Sequence, residues 1–175
     1  MEKKTSMLGL FGAIWGLAGV LALLASATLR LWPKAVDALS FPFAWYHWAA
    51  LAAIVIGMAY AEGYKGFQKA FSPRTAARAR YLRQNPRIVH IVFAPFFCMG
   101  YFYATRRRKI TSISLTLGIV LLIVLVHFVP QPWRGIIDFG VVVGLAWGIV
   151  SLLAFSVQAM GRNTYPYSPE VPDEE

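Results

Sequence analysis

Residues 63–109 read GYKGFQKAFSPRTAARARYLRQNPRIVHIVFAPFFCMGYFYATRRRK, and their charges decide the fold. The stretch holds eleven Lys or Arg and no Asp or Glu; the next acid is Asp138. The cations fall in two clusters. The first is Lys65, Lys69, Arg74, Arg78, Arg80, Arg83 and Arg87, and the second is Arg106, Arg107, Arg108 and Lys109. An apolar segment, Ile88 to Thr105, lies between them. In a hydrophobic chain such clusters mark the cytoplasmic side of a membrane. Two clusters around one short apolar segment imply that the segment enters the bilayer and returns on the same side.

The rest of the chain supports a membrane reading. It has 175 residues, 58% hydrophobic and only 14% charged, with a mean hydropathy of +0.54. A soluble domain is about a quarter charged. The net charge of +9 would suggest nucleic acid in a soluble protein. Here cytoplasmic loops held against anionic headgroups account for it, and no nucleic-acid partner is expected.

The expected fold class is an all-α integral membrane protein. Four transmembrane helices cover about 7–31, 43–62, 110–129 and 135–160. A short re-entrant or interfacial hydrophobic segment covers about 88–105. The first span is longer than a signal-peptide core of ~7–15 residues, so it reads as an uncleaved helix. In the basic loop, 63–87, Ser72-Pro73 reads as a helix start and Asn85-Pro86 as its end. This predicts a basic helix lying on the inner headgroups. Were 88–105 a crossing at ~1.5 Å per residue, it would reach only about 27 Å, and Arg106–Lys109 would sit outside. Residues 161–175, rich in Pro and acid, are expected to be disordered. Both termini are expected in the cytoplasm, with a bacterial inner membrane as the location.

Small residues recur at a spacing of four: Gly12 and Gly16, Ala53 and Gly57 (continuing Ala49 and Ala61), and Gly140, Gly144 and Gly148. In lipid, close backbone approach drives helix association, so these tracks predict packing seams, within one chain or in a homo-oligomer or larger membrane complex.

Ionisable residues inside a membrane are expensive and often functional. Near the outer surface stand His47, His127 and Asp138. The two histidines could ligate a haem, or a metal with Asp138 completing the site, but no ligand-spacing motif accompanies them. Near the inner surface stand Glu62 and His90, a candidate proton or cation relay. Glu62 lies three residues before Lys65, which predicts a helix-end ion pair. The single cysteine, Cys98, reads as a small buried hydrophobe. The chain has no nucleophile elbow, phosphate loop or paired-cysteine metal motif, and no sequence feature specifies a cofactor. The expected function is therefore a non-catalytic membrane protein, a scaffold or accessory subunit touching anionic lipid or a partner through its two basic clusters. The alternatives are a haem or metal redox protein and a small transporter or channel.

Overall fold

The structure is a computed structural model that describes residues 7–162 and 164–172. Lys3 and Lys4, expected to hold the N-terminus inside, lie outside these residues. All regular structure among the described residues is helical: α1 (Met7–Asp37) with a 3-10 turn (Ala38–Ser40), α2 (Trp45–Met58), a π-helical segment (Ala59–Phe71), α3 (Ser72–Gln84), α4 (Ile88–Val92), α5 (Ala94–Met99), α6 (Arg106–His127) and α7 (Trp133–Gly161). Three helices, Met7–Ser40, Arg106–His127 and Trp133–Gly161, are long and apolar enough to cross a bilayer. That fits an integral membrane protein.

The core forms where α1, α3, α5 and α7 meet. On α1 the buried stripe is Gly9, Gly12, Ala13, Gly16, Leu17 and Val20, the spacing of one helix face. A Cβ on Gly9 would run into the Arg83 backbone oxygen; one on Gly16 would lie 2.7 Å from Cys98 Sγ; one on Gly19 would run into the Pro95 ring. The glycines thus form a groove that receives α3 and the broken pair α4–α5. Cys98 and Phe97 are fully buried there beside Leu82 and Leu152. The glycines of α7 do the same for α2 and the π segment. Gly140 rests on Ile54, Gly144 on Glu62 and Gly148 on Phe67. These contacts lie within one chain.

Segment 88–105 is not one helix. Phe93 separates two helices of five and six residues, and Gly100 ends the second with a left-handed φ of 86°. An αL residue after a helix is ordinarily glycine, because any Cβ is penalised there. Neither piece is long enough to cross a bilayer on its own.

Two expectations about local structure are corrected. Ser72 is not a helix cap. It sits inside a continuous helix and hydrogen-bonds Ser151 of α7 at 2.7 Å; its N–H closes the π segment on Phe67 O. Helix α3 is not a surface helix, since Ser72, Pro73, Thr75, Ala76, Ala77, Arg78, Ala79 and Leu82 are buried. Its small side chains let three neighbouring helices approach closely. The Ala53 and Gly57 track faces outward and makes no seam among the described residues, since a Cβ on Gly57 would meet nothing within 4 Å; a seam with another chain is the expectation left for it.

Helix α6 stands apart. Its apolar residues from Ile110 to Leu125 are largely exposed. It is tied to the bundle near its start, where Ser112 donates to Met99 O at 2.9 Å and Thr116 meets Tyr101 Oη at 2.5 Å.

Candidate functional site at the basic end

The two basic clusters come together. Arg74, from the first, places Nε 3.4 Å from Oε1 of Glu170. Arg108, from the second, places Nε 3.8 Å from Oε2 of the same carboxylate. The α1 end at Gly9, the C-terminus of α7 and the first turn of α6 lie around α3 at this end.

Part of the cationic charge is spent inside the fold. Arg78 is fully buried. Its Nε donates to Phe97 O at 2.5 Å and its terminal nitrogens donate to Pro169 O, Phe102 O and Tyr103 O. The guanidinium plane also lies 4.2 Å from the Phe97 ring centre. Burial pulls its pKa down to about 10, with Cys98 and Glu170 opposing the shift, so Arg78 stays charged at neutral pH. These bonds satisfy Phe102 O and Tyr103 O in the irregular backbone after α5 and give Phe97 O, which already accepts the Gly100 N–H, a second donor; unpaired carbonyls would be costly to bury. Arg80 donates to Ala159 O and Arg162 O, and Arg83 to Met160 O. Cations at a helix C-terminus are favourable because its last carbonyls lack partners and carry partial negative charge. Arg78 is thereby corrected from a surface lipid contact to an internal one; Arg108 is also buried, but its side chain lines a cleft at this end.

The remaining cations point outward. Lys65, Lys69, Arg87, Arg106 and Arg107 are exposed, while Lys109 is half-buried. Lys65 Nζ sits 4.7 Å above the Tyr60 ring and Lys69 Nζ 4.5 Å above Tyr64. Both pairs are five residues apart, the repeat of π-helical hydrogen bonds. Tyr60 and Tyr64 also stack at 6.0 Å. Lys65 therefore turns to Tyr60 instead of pairing with Glu62.

Residues 164–172, whose composition leads to an expectation of disorder, lie as a strap across the basic end. Tyr165 donates its hydroxyl to Pro73 O at 3.1 Å, Thr105 N–H donates to Glu170 O at 2.9 Å, and Val171 packs on the core. Residues 173–175, also part of the expected disordered tail, lie outside the described residues. Beneath the strap is a cleft of about 280 Å³ lined by Arg74, Thr105, Arg107, Arg108, Thr111 and Glu170. Sequence reading missed Glu170, Thr105 and Thr111. The signal was available in Pro166, Pro169 and Pro172, whose spacing of three favours an extended strap over a collapsed tail.

The other candidate residues are not assembled into sites. His47 is buried, accepts the Ala44 N–H on Nδ1 at 3.1 Å and lies 5.0 Å from the Trp133 ring. His127 is exposed on α6 beside Phe128. Asp138 is buried, with Arg134 Nε at 4.0 Å. No group of three His, Cys, Asp or Glu among the described residues could hold a metal ion. Glu62 lies against Gly144, whereas His90 sits between Phe97 at 4.8 Å and Tyr103 at 4.6 Å.

No protein-family model, curated protein or solved structure matches this chain. Its function must be read from the basic end itself.

Proposed function

We propose that this chain is a non-catalytic polytopic membrane protein, an accessory or scaffold subunit that engages anionic lipid through the cations at its basic end. On this reading α1, α6 and α7 cross the bilayer. A fourth crossing is made by α2 and the first turn of the π segment, Trp45 to Glu62, roughly 27 Å at ~1.5 Å per residue. Segment 88–105 is re-entrant from the inner side, and both ends of the described chain are cytoplasmic. The meeting of Arg74 and Arg108 at Glu170 supports this topology, because the two arginines flank the segment in sequence.

The observation that carries the lipid reading is the exposed ladder Tyr60–Lys65 and Tyr64–Lys69. Tyrosines favour the membrane–water interface, and a lysine stem laid along an apolar surface leaves its ammonium at headgroup level. Each surface cation adds about 1 kcal/mol of attraction to anionic lipid. Buried arginines contribute no such term, so the exposed set carries the preference.

The test is lipid selectivity in nanodiscs containing phosphatidylcholine and phosphatidylglycerol. The native protein should enrich phosphatidylglycerol at its boundary, and Lys65→Gln with Lys69→Gln should reduce that enrichment about tenfold or more, at ~1 kcal/mol each. Equal enrichment in both proteins would reject the ladder as a lipid contact.

A further inference from the structure

The first turn of α6 has an electrostatic problem. A helix N-terminus carries about half a positive charge and favours acids, yet this one begins Arg106-Arg107-Arg108-Lys109. Thr105, at the cap position, makes no side-chain capping bond. The first-turn N–H groups therefore point out of the helix without the usual acceptor. Arg74 adds another guanidinium from α3. Against Arg74, Arg107 and Arg108 the lining supplies a single carboxylate, Glu170. That carboxylate approaches at 3.4 and 3.8 Å, longer than the roughly 2.7–2.9 Å of a charge-assisted hydrogen bond. Arg108 has a side chain only 5% exposed, and its Nε has no hydrogen-bond partner among the described residues. A buried guanidinium nitrogen without an acceptor is costly.

We propose that this cleft binds a phosphate group, and that Glu170 is an intrachain competitor for the same guanidinium groups. Arg74, Arg107 and Arg108 supply the planar, forked donors that match phosphate oxygens, while the hydroxyls of Thr105 and Thr111 and the α6 N-terminus add neutral donors. At about 280 Å³ the cleft lies just below the range of sites for drug-sized molecules, ~300–1,000 Å³. That room suits a phosphate or a glycerophosphate headgroup. The strap supplies the competition: Glu170 is held by Thr105 on one side and by neighbouring Pro169, whose carbonyl accepts from Arg78, on the other. A phosphate with more charge and more acceptors displaces the carboxylate. The proposal rests on the lipid reading only in setting the cleft at inner headgroup level. It uses none of the ladder lysines.

The test is isothermal titration of the full chain in non-ionic detergent, with inorganic phosphate in one arm and dihexanoyl phosphatidic acid in the other. Saturable binding of either probe is expected. Binding of inorganic phosphate identifies the free ion as a sufficient ligand; binding of the short lipid alone identifies a headgroup. Glu170→Gln should tighten binding about fivefold or more, and Arg74→Gln and Arg107→Gln should each weaken it by roughly tenfold, one charged hydrogen bond's worth. Lys65→Gln with Lys69→Gln should leave it unchanged, so loss of lipid enrichment and loss of cleft binding are separable. Circular dichroism checks that each variant is folded. Binding of neither probe overturns the proposal, as does an unchanged or weaker affinity in Glu170→Gln or an unchanged affinity in the arginine variants.

Discussion

Arg74 and Arg108 stand on opposite sides of the 88–105 segment in sequence, yet their Nε atoms lie within 4 Å of the two oxygens of one carboxylate, that of Glu170. The chain between them therefore begins and ends at the same end of the bundle, as the proposed re-entrant path requires. Its return is possible because α1 offers a glycine groove for α4–α5, and because Arg78 bonds the carbonyls at the turn.

Arg78 is accordingly the most sensitive side chain at the basic end. Arg78→Ala should cost about 3–5 kcal/mol, as removal of one partner from a buried charged network does. Arg78→Lys should recover little, because an ammonium cannot reach carbonyls on both sides of a planar fork. Thermal unfolding in detergent measures both. Near-native stability in Arg78→Lys would mean that the charge matters and the geometry does not.

The glycines divide into two classes. Gly9→Ala forces a Cβ against the Arg83 backbone oxygen and should destabilise by about 1–3 kcal/mol. Gly57→Ala meets open space and should be neutral or stabilise by up to ~1 kcal/mol through helix propensity. The same thermal assay ranks them, and a reversed order would contradict the packing described for α1.

The strap should be sensitive to alkali. Burial, then the neighbouring Tyr167, raises the pKa of the Tyr165 hydroxyl, which donates to Pro73 O. Its folded value thus lies above the unfolded value of about 10. The contribution is fully present below about pH 10 and is lost as pH rises through the folded value. Denaturation between neutral pH and pH 11 should show a falling stability that is shallower in Tyr165→Phe. Identical slopes would show that the hydroxyl contributes nothing.

Ser72 and Ser151 test the α3–α7 seam. Their oxygens lie 2.7 Å apart, so paired cysteines at these positions should oxidise to a disulfide in a Cys98→Ala background. A pair that stays reduced under oxidant would place the two helices differently.

The sequence made some of this legible and hid the rest for identifiable reasons. Helices α6 and α7 follow their uninterrupted apolar runs, and the seams at Gly12–Gly16 and Gly140–Gly148 follow from small residues at helical spacing. Helix α1 runs past its expected end at residue 31, through Pro33, and the Lys34 carbonyl and Ala38 at its end pack under Gly135. Helix α3 was misjudged because alanines look weakly apolar, while in a crowded bundle their small size is what allows burial. The π winding of Ala59–Phe71 leaves no trace in a pattern read at 3.6 residues per turn. The partner role of Glu170 is hidden because a Pro-rich, acidic composition reads as disorder, although the three-residue spacing of Pro166, Pro169 and Pro172 also suits an extended strap.

The central claim is that both sides of the 88–105 segment face the same compartment. Single cysteines replacing Arg87 and Lys109, each in a Cys98→Ala background, can be treated with a membrane-impermeant thiol reagent in sealed vesicles of known orientation. The account predicts that both are labelled from the cytoplasmic face only. Labelling of one from inside and the other from outside would contradict it.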